Sequence, residues 1–250
     1  METDTQTKAA YKTAKLLAMG DTALTVEFGT EIDPLSNARV LALEAAITGM
    51  FIPGIVETVP TYRSLTVHID PVTVDMEGLQ QTLQALAARP VAVTARPGHS
   101  WQVPVVYGGS FGPDLEAAAK ACGLTPAELV TRHSAGSYTI AMIGFLPGFS
   151  YLSGLDPRLA IPRREEPRLQ VAASSISIGG AQTAIGSVSG PSGWHMLGRT
   201  PARPFVQDRK PQALFAPGDR ISFAPIDAGE WDRLDAAAAK GQLVITEMTR

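Results

Sequence analysis

QVAASSISIGGAQTAIGSV, Gln170 to Val188, holds two short strand-like runs separated by a glycine pair, Gly179 and Gly180. The same grain continues on both sides, in SYTIAMIG at 137 to 144, ALFA at 213 to 216 and RISFAPI at 220 to 226, each bounded by Gly or Pro. Short strands at this density predict a β-rich C-terminal half, a closed barrel or a sandwich. Two helices precede it, one from Pro113 and one over TPAELVTRH, 125 to 133, where Thr125, Pro126 and Glu128 supply a cap, a first-turn proline and a capping-box acid. After the strands, AGEWDRLDAAAAK predicts a helix stopped by Gly241, followed by a strand over LVITEM.

The N-terminal half reads differently. TALTVEF at 22 to 28 alternates like a strand, and NARVLALEAAITGM at 37 to 50 has helical spacing. GIVETVPTY and SLTVHI read as strands, and MEGLQQTLQALAA as a helix. This β-α-β-β-α order, with a further strand expected at 100 to 106, predicts a ferredoxin-like layer with two helices on one face of a small sheet. The expected division is a disordered segment over 1 to 18, an α+β domain over 19 to 98 and a β domain over 99 to 250, an α+β fold class for the whole.

The chain has 250 residues and a net charge of -3 with no basic stripe, which argues against nucleic acid as a partner. The first twenty residues lack the apolar stretch of a signal peptide, and no segment reads as a membrane span, so the expected location is cytoplasmic. The single cysteine, Cys122, lies in the apolar run AAAKACGL and reads as a packed structural thiol. The four histidines, at 68, 99, 133 and 195, show no metal-ligand spacing, so no metal site is expected. There is no G-x-x-x-x-G-K-[ST] loop for ATP, and GSVSG at 186 to 190 puts Val188 where a nucleophile elbow needs serine.

What remains is a set of Gly- and Pro-rich loops, GFLPGFSYLSGLDPRLAIPRR at 144 to 164 and GGAQTAIGSVSGPSGWHMLGRTP at 179 to 201. Such loops commonly carry binding residues. Arg163, Arg164, Arg168, Arg199, Arg203 and Arg209 lie in or beside them, and a guanidinium can grip carboxylate or phosphate at two points. Arg199 is favoured because it sits between Gly198 and the Thr-Pro turn, whereas Arg164 reads as a surface partner of Glu165, Glu166 or Asp156. Gln182 and Thr183 suit an amide substrate, or else bond to backbone at a strand end. Tyr151 and Trp194 are the aromatic candidates, and His195 reads as a ring packed on Trp194. In YGGSFGPDLE, 107 to 116, Asp114 and Glu116 are read as acids complementing a helix start, in preference to an anion cradle.

The ordered set GFxPGFxYL, a Pro-Arg pair, G-x-QT, a Gly-Trp step, GRTP and PGDRISFAPI, with YGGSFGPDLE and HSAGSYTIAMIGF upstream, resembles the 5-oxoprolinase B-subunit family, also called allophanate hydrolase subunit 1 or the Kip kinase inhibitors. The resemblance implies a cyclophilin-like barrel behind the small α/β domain. It implies a non-autonomous enzyme component that opens the lactam of 5-oxo-L-proline with hydrolysis of ATP, the C subunit being its heterodimer partner and the A subunit completing the complex. Substrate contacts are then expected from Tyr151, Arg163, Gln182, Thr183, Trp194 and Arg199, with no catalytic residue assigned. Two alternatives follow from the same resemblance: an inhibitor of a sensor histidine kinase, and a component for carboxyltransferase or allophanate-type amide chemistry. The chain departs from the family pattern at Ala184, Gly186 and Ser192, and the missing tyrosine at Gly186 implies a wider pocket.

Overall fold

A computed structural model describes residues 10–90 and 98–248. The expected disorder over 1 to 18 is corrected in part, because residues 10–18 form a strand; residues 1–9 lie outside the described residues. Contacts divide the chain into two compact units at Pro97 and Gly98.

The first unit contains β1 (Ala10–Ala18), β2 (Ala23–Gly29), α1 (Pro34–Thr48), β3 (Ile55–Pro60), β4 (Ser64–Ile69) and α2 (Met76–Ala87). α1 starts where the Asp33 carboxylate accepts from the Ser36 N–H at 2.7 Å and Pro34 fills the first turn. The sheet runs β1-β2-β4-β3. Leu24, Val26 and Phe28 of β2 and Leu65, Val67 and Ile69 of β4 share one face, against Val40, Leu43 and Ile47 of α1 and Leu79, Leu83 and Leu86 of α2. The fourth strand expected at 100 to 106 is not part of this sheet. Its place beside β2 is taken by β1, antiparallel from Lys15↔Glu27 to Ala18↔Leu24.

The second unit begins with β5 (Ser100–Tyr107), α3 (Leu115–Ala121), α4 (Pro126–Ser134), β6 (Tyr138–Ile143) and β7 (Ser150–Ser153). It continues with β8 (Arg168–Val171), β9 (Ser175–Gly179), β10 (Gln182–Ile185), β11 (Gly190–Ser192), β12 (His195–Arg199), β13 (Arg220–Pro225), α5 (Ala228–Ala239) and β14 (Thr246–Glu247). Of the two architectures open to the sequence, the barrel is the one formed. Seven strands close in the order β12-β9-β10-β7-β6-β13-β5 and back to β12. One edge of β5 pairs in parallel with β13; the other is shared, β14 meeting Trp101 and Gln102 and β12 meeting Val106 and Tyr107. Val103, Val105, Ile140, Leu152, Ile176, Ile178, Ile185, Leu197 and Phe223 fill the interior. The expected capping box of α4 is present, with the Thr125 hydroxyl and Glu128 carboxylate reciprocally bonded. β8 and β11 form a separate two-stranded ribbon.

Candidate functional site

Side chains alternate across a strand, so once Ile176, Ile178, Ile185 and Leu197 point into the barrel their neighbours point out. The outer face of β12-β9-β10-β7 thereby presents Met196 from β12 and Trp194 from the residue before it, Ala184 from β10 and Tyr151 from β7, with Ala184 and Tyr151 directly paired. A register shift between Met196 and Gly198 puts Arg199 on the same face, opposite Ser175. Trp194, 6% exposed, packs with Met196 and Ala184 against Phe149, Tyr151 and Val171. The Tyr151 ring centre lies 5.9 Å from Trp194 and 4.7 Å from Phe149, and the Arg163 guanidinium lies 5.7 Å from the indole. Gly179 allows this packing, since a Cβ there would stand 2.8 Å from the indole. Burial raises the Tyr151 pKa, with the Arg163 charge opposing. Tyr151, Arg163 and Trp194 are therefore one cluster. Gln182, on the same side of β10 as Ala184, sits half-buried toward its edge.

Thr183 is elsewhere. Fully buried on the inner side of β10, it donates to the Ser177 carbonyl oxygen at 2.9 Å. With its proton so placed, the Thr183 oxygen accepts from Nε2–H of His133 at 2.9 Å, and Nδ1 of His133 accepts from the Tyr107 hydroxyl at 2.8 Å. Burial pushes the His133 pKa down to about 3, so the ring is neutral, stacked on Phe223 at 4.9 Å. This network belongs to the barrel core and does not face the outer cluster. His195 is held by the Pro162 carbonyl oxygen at 2.9 Å from Nε2. Cys122 is half-buried against the core, and burial raises its thiol pKa.

Arg199 lines a cleft of about 240 Å³ with Arg168, Ser110, Phe111, Gln170 and Ser175 among its walls. Its Nε donates to the Ala173 carbonyl oxygen at 3.0 Å and its guanidinium lies 4.8 Å from the Trp231 ring centre on α5. Burial lowers its pKa, opposed by the charge of Asp235, whose own ion pair is to Arg203 at 3.1 Å. The connection that orients Ala173 runs through Ser174, a non-glycine residue at φ +58°. That conformation is fixed by the Ser174 hydroxyl on the Ala202 carbonyl oxygen at 2.9 Å and the Thr200 N–H on the Ser174 carbonyl oxygen at 2.9 Å.

The residue that sequence reasoning missed is Asp114. It precedes α3 but its side chain makes no cap bond. Instead its buried carboxylate accepts two bonds from Arg168, both 2.7 Å, one from Arg164 at 3.1 Å and one from the Met196 N–H at 2.8 Å. Burial alone would raise its pKa; the Arg168 bonds, the Met196 N–H and the two guanidinium charges reverse this and hold it below its ordinary value. The surface pairing expected for Arg164 is thus corrected: it joins a buried carboxylate fifty residues away in sequence. At Gly186 the space beside the backbone is taken by Ser175, whose Oγ lies 2.5 Å from where a Cβ would stand.

The family model for the carboxyltransferase domain, subdomains C and D, matches residues 14–215. The chain belongs to this family, that of the 5-oxoprolinase B subunits. It is 35% identical over 223 residues to the 5-oxoprolinase B subunit of Bacillus subtilis (strain 168), covering 85% of this chain and 93% of that one. Among solved structures, TTHA0988 superposes with a TM-score of 0.74 at 30% identity over 82% of this chain, which spans 40% of that longer chain. The Kluyveromyces lactis urea carboxylase shares the fold, with a TM-score of 0.75 at 18% identity over 94% of this chain and 24% of that one. The carboxyltransferase-domain match covers the outer cluster and the Arg199 cleft alike.

Proposed function

We propose that this chain is the B subunit of an ATP-dependent 5-oxoprolinase in the cytoplasm, acting with partners similar to the C and A subunits. The observation that carries the reading is the similarity to the Bacillus subtilis protein over 93% of that protein's length. The finer architecture it implies is a ferredoxin-like first unit and a cyclophilin-like barrel. In the reaction, the terminal phosphoryl group of ATP passes to the lactam oxygen of 5-oxo-L-proline and ADP leaves; one water adds at the activated carbon as the C–N bond breaks and the nitrogen takes up the proton, and a second water frees phosphate to leave glutamate. Activation of the lactam oxygen by phosphorylation couples ATP hydrolysis to ring opening, since an unactivated five-membered lactam resists attack.

The outer barrel face supports this reading in kind. Gln182 offers an amide donor and acceptor, and the half-buried Tyr151 offers ring surface near Arg163, ring and guanidinium both packed against the buried Trp194. ATP is assigned to the assembled complex, this sequence having no P-loop. The test is 5-oxoproline-dependent ADP release by the chain mixed with candidate A and C subunits. Release that requires all three is expected. No release from a demonstrably assembled mixture would reject the function.

A further inference from the structure

We propose that the cleft beside Arg199 binds the carboxylate of a small, amino-acid-sized monoanion. The charge of the cleft is the first argument. Two guanidinium groups line it, but Arg168 is engaged in two-point fashion by the buried Asp114. Among the described residues Arg199 has no carboxylate within ion-pair distance, and Asp235, whose charge reaches it, is already paired with Arg203, so the cleft keeps a net positive charge. A half-buried cation is costly unless an anion joins it.

Geometry is the second. The Arg199 Nε is held by Ala173 and its plane is supported by the Trp231 ring, so the side chain is fixed while its terminal amino groups remain as donors of fork geometry. The Ala173 carbonyl that holds it is itself fixed by the left-handed Ser174 and that residue's bonds to Ala202 and Thr200. Such an over-determined anchor preorganises the donor for its ligand.

Size and lining are the third. Phe111, Pro113, Val171 and Met196 give apolar walls, while Ser110, Gln170 and Ser175 give hydrogen-bonding groups. About 240 Å³ falls below the range of about 300 to 1,000 Å³ usual for drug-sized ligands, which suits a compact acid and is too small for a nucleoside triphosphate. That the acid is 5-oxo-L-proline rests on the function proposed above; the carboxylate chemistry does not.

The experiment is titration calorimetry of the full chain, alone and mixed with candidate A and C subunits, using 5-oxo-L-proline, its decarboxylated analogue 2-pyrrolidinone, a panel of small amino-acid-sized carboxylates, and ADP. 5-oxo-L-proline is expected to bind about 10- to 100-fold more tightly than 2-pyrrolidinone, the range for losing a charge-assisted hydrogen-bond pair. Arg199→Ala should erase that difference by weakening only the acid, and Arg199→Lys should restore part of it. Ser110→Trp, which puts an indole on an exposed wall of the cleft, should weaken every small acid while leaving the fold intact by circular dichroism. Binding of another small carboxylate with the same Arg199 dependence, but not of 5-oxo-L-proline, would keep this site and reject the substrate. Wild-type affinity in Arg199→Ala, competition by ADP, or no binding of any small acid in either setting would overturn the proposal.

Discussion

At the scale of single residues, polar groups buried with their partners set how the protein answers to pH and to substitution. His133 is neutral in the fold, with its pKa pushed down to about 3 by burial, against an ordinary value of 6.5. The unfolded chain therefore binds a proton that the folded one refuses: the stability contributed is complete above about pH 6.5 and is lost progressively as pH falls from there toward 3. One pH unit below the unfolded value the loss is about 1.4 kcal/mol. The melting temperature of the wild type should thus fall more steeply between pH 7 and 5.5 than that of His133→Gln; parallel curves would show that His133 is not the titrating group. Asp114 works in the opposite chemical form, as a carboxylate held by Arg168, the Met196 N–H and Arg164. Asp114→Asn should cost about 1.5 to 3 kcal/mol in urea unfolding at pH 7, because two part-buried guanidinium groups lose their counter-charge. Arg164→Ala removes the 3.1 Å contact to Asp114 and a 3.3 Å bond from Nε to the Glu166 carbonyl oxygen, both from a side chain still partly in water, and should cost under about 1 kcal/mol.

At the scale of elements, the tightest constraint is where the barrel shuts. Gly198 of β12 stands opposite Tyr107 of β5, and a Cβ there would lie 2.4 Å from the Val106 carbonyl oxygen. Backbone cannot yield as a flexible side chain can, so Gly198→Ala should destabilise by about 1 to 3 kcal/mol through displacement of the β12–β5 seam. Gly229 in α5 has nothing within 4 Å of its would-be Cβ, and Gly229→Ala should instead stabilise by about 0.5 to 1 kcal/mol; thermal melts of the pair check both signs. Elements of this kind are legible in sequence wherever the signal is local. The Thr125 box, the helices from α1 to α5 and the short strands around Gly179 and Gly180 all follow from neighbours a few residues apart. Pairing is not local, and there the sequence is mute: β5 follows the first unit in sequence yet joins the barrel, and β1 fills the edge that the sequence pattern assigns to β5. The site shows the same limit. Tyr151, Trp194 and Arg163 stand out singly in the sequence, but their meeting depends on strands distant in sequence lying side by side. Thr183 leaves the expected site because strand alternation turns it inward, one residue from Gln182 on the other side. Asp114 reads as a helix-start acid because its arginines lie fifty and fifty-four residues further on.

At the scale of the whole molecule, the two units differ in how much apolar surface each has to stand on. The barrel unit, Gly98 to Arg250, encloses Val103, Ile140, Leu152, Ile176, Leu197 and Phe223 in one continuous cluster that also reaches Leu115 and Ala118 of α3 and Leu129 of α4. The first unit has a separate and smaller cluster between one sheet face and two helices. Among the described residues each cluster draws its buried members from its own unit. A segment of this size buries enough of its surface to fold alone, whereas the shorter first unit lies nearer the lower limit for a single core. The expectation is that residues 98–250, expressed without the first unit, unfold in a single cooperative transition close in temperature to the last transition of the intact chain. Calorimetry on the fragment and on the whole protein decides it. A fragment with native-like secondary structure but no cooperative transition would mean that closure of β12 on β5 depends on the presence of the first unit.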